Sequence, residues 1–270
     1  MRPSGGFLWK SDSVKARQPS HRLVLEALED RLVPAQIFVT TPDDVVDQAD
    51  GLISLREAIQ QANLNADHDD IIFPNNALDY QVKLNTPTNF GPTAFVISSD
   101  IAIRSSSGTT CTLSLGGLNA NPMRFFWIQP TGNLQLNDLT IFGGRIQGGS
   151  GGMGSTGTTG DIDGAGGGGG AGLGGAIYNQ GTLNIERVTF IDNQAKGGEG
   201  GTGSTTTTTS GFGGGGGSLS GPGQPGTSTK GGEGALNAGS GAGPFGTGTN
   251  GSMGGGGGGA GSITSAKGGN

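Results

Sequence analysis

The sequence contains a single cysteine, Cys111, so no disulfide can close within the chain. It has only two histidines, His21 and His68, and no Ser–His–Asp or Cys–His arrangement is discernible. No run of 18 apolar residues occurs, which excludes a membrane-spanning helix. Charged residues make up only 13% of the chain, and the formal net charge is −6. An acidic chain without a basic stripe has nothing with which to neutralise phosphates, so nucleic acid is excluded as a partner.

Glycine is the residue present in excess, and it is unevenly placed. Most of the 59 glycines fall after residue 142. The first half has the apolar side chains for a core. The second half lacks them, and ordering so much glycine costs backbone entropy that little side-chain burial offsets. By composition, 198–270 is therefore expected to be a low-complexity, disordered tail, and 144–174 a glycine-rich insertion looping out of the fold. Removal of the tail is expected to leave folding unchanged. Glycine runs packed as extended rods are the alternative.

Residues 1–35 begin with a basic leader, Arg2, Lys10, Lys15, Arg17 and Arg22, but no apolar h-region follows. Leu23, Leu25, Leu28 and Leu32 can form one stripe of a short helix, the reading of a surface helix or docking peptide. The stretch Leu25-Glu26-Ala27-Leu28-Glu29-Asp30-Arg31 resembles a segment near the N-terminus of many exported planctomycete surface proteins. The resemblance implies export or surface display. Val33-Pro34-Ala35 is the expected processing point, because it has small residues where a signal peptidase would want them.

Gln36 to Thr41 is β-rich and reads as a first strand. Ser54-Leu55-Arg56-Glu57 is a capping box, and it opens a helix to about Asn63 with Leu55, Ala58, Ile59 and Ala62 on one face. Asp69 to Phe73 is a short strand stopped by Pro74. This unit resembles the CSLREA domain that precedes β-helical repeats in secreted bacterial proteins, on Ile53 to Ile59, Ala62-Asn63 and Asp70 to Phe73. The family's cysteine is Ile53 here, which loses nothing if that position only packs.

Short β-rich runs follow at 94–98, 101–104, 111–115 and 125–128. Gly132 to Ile141 then aligns without gaps with Gly181 to Phe190. In each copy apolar residues sit at +2, +4, +7 and +9 from the glycine, the pattern of one coil turning a corner. Stacking places Leu134 over Leu183, Leu136 over Ile185, Leu139 over Val188 and Ile141 over Phe190, with Phe190 expected to be buried. The stretch Gly174-Gly175-Ala176-Ile177 to Phe190-Ile191-Asp192-Asn193 resembles the polymorphic outer-membrane protein repeat of bacterial adhesins. These resemblances imply an all-β fold: a right-handed, pectin-lyase-like parallel β-helix spanning 36–197, with about four coils and an N-terminal capping helix.

Chemistry is sparse. Asp161-Ile162-Asp163-Gly164 starts like a calcium loop but lacks the later ligands and the closing Glu. Asp43, Asp44, Asp47 and Asp50 read as a polar loop. The outward residues of the two copies, Asn137, Asp138, Glu186, Arg187 and Asp192, read as a solubilising face. No catalytic, cofactor-binding or metal-binding residue is assigned, and no cofactor is expected. The expected function is a non-catalytic structural or adhesive protein, secreted or at the cell surface or outer membrane. Its expected partners are surface polysaccharide or other cell-surface proteins. The competing reading is a carbohydrate-active β-helix enzyme, a polysaccharide lyase or glycosidase, whose paired carboxylates would have to line one groove.

Overall fold

A computed structural model describes residues 34–74, 78–106, 110–115, 121–156, 164–203, 211–227, 232–243, 246–261 and 269–270. The leader, its Leu-Glu-Ala-Leu-Glu-Asp-Arg stretch, His21 and Asp161 to Asp163 lie outside the described residues. Pro34 to Asn270 cluster as one unit.

The elements run β1 (Ala35–Phe38), α1 (Leu55–Ala62), β2 (Asp69–Phe73), β3 (Asp79–Val82), β4 (Thr93–Ile97) and β5 (Asp100–Ser105). Next come β6 (Cys111–Leu115), β7 (Arg124–Ile128), β8 (Asn133–Asn137), β9 (Leu139–Phe142) and β10 (Arg145–Gln147). The remainder are β11 (Ser155–Thr156), β12 (Ile177–Asn179), β13 (Thr182–Glu186), β14 (Thr189–Ile191), β15 (Gln194–Lys196) and β16 (Gly211–Phe212). Three parallel sheets have the orders β1-β2-β5-β8-β13, β3-β6-β9-β14 and β4-β7-β12. Two short pairs complete the set, β10 with β15 in parallel and β11 with β16 antiparallel, so the described chain is mostly β, with one helix and mainly parallel pairing.

The chain visits these sheets in a fixed sequence. It passes through β4, β5 and β6, then β7, β8 and β9, then β12, β13 and β14. Each visit lands parallel to the previous one. The register places Leu183 beside Leu134, Ile185 beside Leu136 and Phe190 beside Ile141, as the internal repeat requires. Alternation along each strand then sends one apolar row inward. Ile71, Ile103, Leu134, Leu136 and Ile141 are fully buried in a single core. The repeat glycines have a steric reason: a β-carbon on Gly181 would strike the carbonyl of Gly132, and one on Gly132 would strike that of Ile97.

Burial departs from expectation at the last circuit. Phe190 is 41% exposed and Ile185 47% exposed. The alignment gives the register correctly, but the described chain lays no further circuit over β13 and β14. Phe190→Ala is accordingly expected to cost about 1 kcal/mol, against the 3–5 kcal/mol of a fully enclosed phenylalanine. Urea unfolding of the variant measures the difference.

Helix α1 closes the opposite edge of the β4-β7-β12 sheet. Its capping box forms as the sequence predicts, with Ser54 and Glu57 reciprocally bonded. Leu55, Ala58, Ile59 and Ala62 face the core. Arg56 Nη1 donates to the Ala94 carbonyl at 2.8 Å, and Asn63 Nδ2 donates to that of Val96 at 2.8 Å. Asn63 Oδ1 accepts from the Ser98 amide at 2.9 Å. Three alternate residues of the edge therefore find the partners that a neighbouring strand would have supplied.

The glycine-rich segments correct the sequence reading. Their described parts neither loop out nor hang free. Extended stretches lie side by side and bond backbone to backbone in every lateral direction. The stretch Gly213 to Ser218 is bonded to six others. Gly149 and Gly152 donate to Ser218 and Gly215, while Gly214 and Gly217 donate to Ala165 and Gly168. Gly213 and Gly216 donate to Ala242 and Gly239, and Gly215 donates to Gln224. Gly232 and Ala235 donate back to Gly213 and Gly216, as Gly256 and Gly259 do to Gly217 and Gly214. The partners recur every third residue, the period of an extended helix with three residues per turn and no internal bonds. Such chains can approach this closely only without β-carbons. One on Gly167 would land on the Gly215 carbonyl, and one on Gly216 on the Gly256 carbonyl. Counting apolar side chains misses this stabilisation because it comes from the backbone. The array adjoins the sheets where β10 ends, with the Gly148 amide donating to Lys196 of β15 and the Gly149 amide to Ser218, and Leu219, 3% exposed, is buried beside Gly254 and Ala171.

Candidate functional site

The five-stranded sheet presents a ladder of polar residues between its core-facing rows. One row runs Gln36, Asp70, Ala102, Gln135, Asn184 and the next Phe38, Ile72, Arg104, Asn137, Glu186, so both rows are polar without interruption across β8 and β13. Strand pairing sets neighbours in a row about 4.8 Å apart. Amides and carboxylates at that spacing offer donors and acceptors to a hydroxyl-rich ligand. Asn133 Nδ2 already donates to Asp100 Oδ1 at 2.8 Å, and Arg104 lies 3.4 Å from Asp70.

At the corner after this sheet, Asp138 and Arg187 occupy equivalent positions of the two copies. Both adopt left-handed backbone, with φ 57° and 53°. Arg187 bonds Asp138 through two nitrogens, at 2.6 and 3.0 Å, and it also pairs with Glu186. The hydrogen bond from Arg187 holds the Asp138 carboxyl below its ordinary range. Of the three outward carboxylates of the two copies, Asp138 and Glu186 are therefore bound to one guanidinium, and Asp192 is not. That chemistry needs an acid raised toward neutral pH, and Asp138 is shifted the other way. The Asn193 side chain braces the next corner, donating to the Ile141 carbonyl and accepting from the Gly144 amide, both at 2.8 Å. The Asn of the Phe-x-x-Asn motif thus acts on the backbone of the preceding circuit.

The sequence reads the 43–50 aspartates as a polar loop, and in the structure three of them, Asp44, Asp47 and Asp50, accept hydrogen bonds that shape it. Asp44 accepts from Arg56 at 2.7 and 3.0 Å and from the Lys83 and Leu84 amides at 2.7 Å each. It thereby closes the end of β3. Asp47 and Asp50 accept from the amides of Ala49 and Leu52. Glu57 accepts from the Ser54 and Asp47 amides, and the Ser54 bond is the main cause of its lowered pKa. An open groove beside α1, about 630 Å³, is lined by Gln48, Leu52, Glu57, Gln60 and Leu64 among others. Its one carboxylate is Glu57, already committed to those amides, so the groove holds no available acid or base.

A second titratable cluster surrounds His68, whose Nδ1 lies 3.1 Å from Asp100 and Nε2 3.8 Å from Asp70. Asp69, beside it, is 1% exposed, and its Oδ2 has no hydrogen-bond partner. Burial raises its pKa, and Asp67 and Asp100 add to the rise while His68 opposes it. A carboxyl raised on folding stabilises the protein when protonated. That contribution is present below the unfolded value and is lost as pH rises through the folded one. Asp69→Asn is therefore expected to raise the melting temperature at pH 7. The gain over the natural chain should vanish as pH falls below the carboxylate range. Thermal scans from pH 3 to 7 test this, and an equal gain at every pH would contradict it.

Sequence reasoning also missed Arg124, which is fully buried. It donates to the Phe90 carbonyl at 2.5 Å and lies over the Tyr178 ring, and burial lowers its pKa to about 10. Its β-rich context gave no sign of a charged core residue.

Among the described residues, no group of three or more His, Cys, Asp or Glu side chains can hold a metal ion. No helix among them is long and apolar enough to cross a membrane. No family model, curated protein or solved structure matches the chain.

Proposed function

We propose that residues 36–197 form a right-handed parallel β-helix and that the protein is a non-catalytic structural or adhesive component, secreted or displayed at the cell surface. The observation that carries this reading is the polar ladder on the five-stranded sheet. Across β8 and β13 it offers Gln135, Asn137, Asn184 and Glu186 at strand spacing to surface polysaccharide, and its corner carboxylates are ion-paired rather than poised for acid–base work. Three resemblances support it: residues 25–31 to exported planctomycete proteins, the Ile53–Phe73 unit to CSLREA domains, and the Gly174–Asn193 stretch to adhesin repeats.

The experiment has two arms. Fractionation of the native organism, with sequencing of the mature N-terminus, tests location and processing near Ala35. Binding of the purified chain to a panel of cell-surface polysaccharides, with Gln135→Ala and Asn184→Ala beside it, tests the ladder. Recovery of the protein only from the cytoplasm would sink the surface assignment. Release of shortened or unsaturated sugar products would establish the enzymatic reading instead.

A further inference from the structure

The outermost circuit, β12 to β14, is the feature that the proposed function leaves unexplained. Among the described residues each of its strands pairs on one side only, β12 with β7, β13 with β8 and β14 with β9. The other side presents unpaired backbone together with Ile185, Phe190 and Ile191, all more than 40% exposed. Free edges of this kind pair with other chains unless they are covered or charged. Among the described residues nothing covers them, and their charges cancel. Residues 177–196 carry two acids, Glu186 and Asp192, and two bases, Arg187 and Lys196. This circuit is thus neutral in a chain of net charge −6, so two copies can bring it together without like-charge repulsion.

We infer that a second copy of this chain covers this edge, joined end to end about a two-fold axis. Head-to-tail stacking is blocked, because α1 occupies the far edge of the β4 sheet and satisfies its carbonyls. Two like edges can meet instead. A two-fold axis through the middle of β13 sets it antiparallel to the partner's β13 and brings β12 against the partner's β14. Centred on Asn184, this pairing lays Leu183 against the partner's Ile185, continuing the core across the junction. The contact is the same patch on both copies, so it closes at two and does not propagate. The inference rests on the parallel pairing alone and not on where the protein resides.

Sedimentation of the full chain over a concentration series tests it. A reversible monomer–dimer equilibrium is expected. Ile185→Lys on β13 and Phe190→Lys on β14 should each weaken it roughly tenfold or more. Phe38→Lys, on β1 and 51% exposed, should leave it unchanged. The geometry has its own readout, which needs no destabilising change. Asn184→Cys should form a disulfide-linked dimer under mild oxidation, because directly opposed residues of an antiparallel pair bring their β-carbons within bridging range. The natural chain, whose Cys111 is buried, should not. A chain that stays monomeric at roughly 100 µM, a dimer indifferent to both lysines, assembly beyond two copies, or no cross-link at 184 would each overturn the inference.

Discussion

Valine in place of Gly167 is expected to dismantle the glycine-rich array while leaving the parallel sheets folded. The Gly167 amide donates to the Gly152 carbonyl at 2.9 Å, and its own carbonyl accepts from Gly201 at 2.7 Å. Its missing side chain would point at the carbonyl of Gly215. The obstacle is backbone, which cannot rotate aside as a side chain can. Overpacking an ordinary core costs about 1–3 kcal/mol because neighbours shift. Here a shift of Gly167 pulls on the central stretch Gly213 to Ser218, which is bonded to six others, so the damage spreads. Hydrogen exchange followed by mass spectrometry reads it directly. Amides in 164–171 and 213–218 should lose protection, while those of β5 and β8 keep theirs. Gly200→Ala is the control, since the nearest atom to its β-carbon is 3.7 Å away. Unchanged protection in Gly167→Val would mean that the array is not packed as described. Removal of 198–270 should likewise cost the amides of Ala165, Gly168 and Ala171 their protection, because it takes away their acceptors on Ala260, Gly257 and Gly254.

Asp44→Ala is expected to cost about 3–5 kcal/mol, the usual consequence of leaving a buried charge without its partner. The Arg56 and Asp44 side chains are 8% and 5% exposed. The substitution orphans the guanidinium and removes the acceptor for two amides at the end of β3. Arg56 keeps its bonds to the Ala94 and Leu84 carbonyls, which hold it in place without neutralising it. The loss should therefore be smaller when Arg56 is replaced by methionine in the same chain. Denaturant unfolding of the single and double variants gives both numbers. A single-variant loss below about 1 kcal/mol would place the pair in the class of exposed bridges.

The parts of this fold that side chains specify were legible in advance. Ser54 and Glu57 announce α1 because a capping box is a local, three-residue event. The apolar spacing in Gly132–Ile141 and Gly181–Phe190 sets the register because inward and outward positions alternate whatever lies above them. The same spacing cannot say how many circuits follow, and so Phe190 was expected inside and lies partly outside. The Asp44–Arg56 pair was hidden because its partners are joined only through the folded loop, where one more aspartate among four reads as solvated. The glycine array was illegible to any count of apolar residues, since its bonds belong to the backbone. For the candidate site, the sequence named Asp138, Glu186 and Arg187. It could not show that left-handed corners bring them into one ion-paired group.

The array leaves its surface unusually open to change. Along 196–203 the positions facing other segments, Gly198 and Gly201, have no room for a β-carbon, whereas Glu199 and Thr202 face solvent. The atoms that hold the segment are common to every amino acid. The outward residues therefore carry almost none of the folding information, and a lineage can rewrite them, in charge, size or hydrogen-bonding pattern, without renegotiating the scaffold beneath.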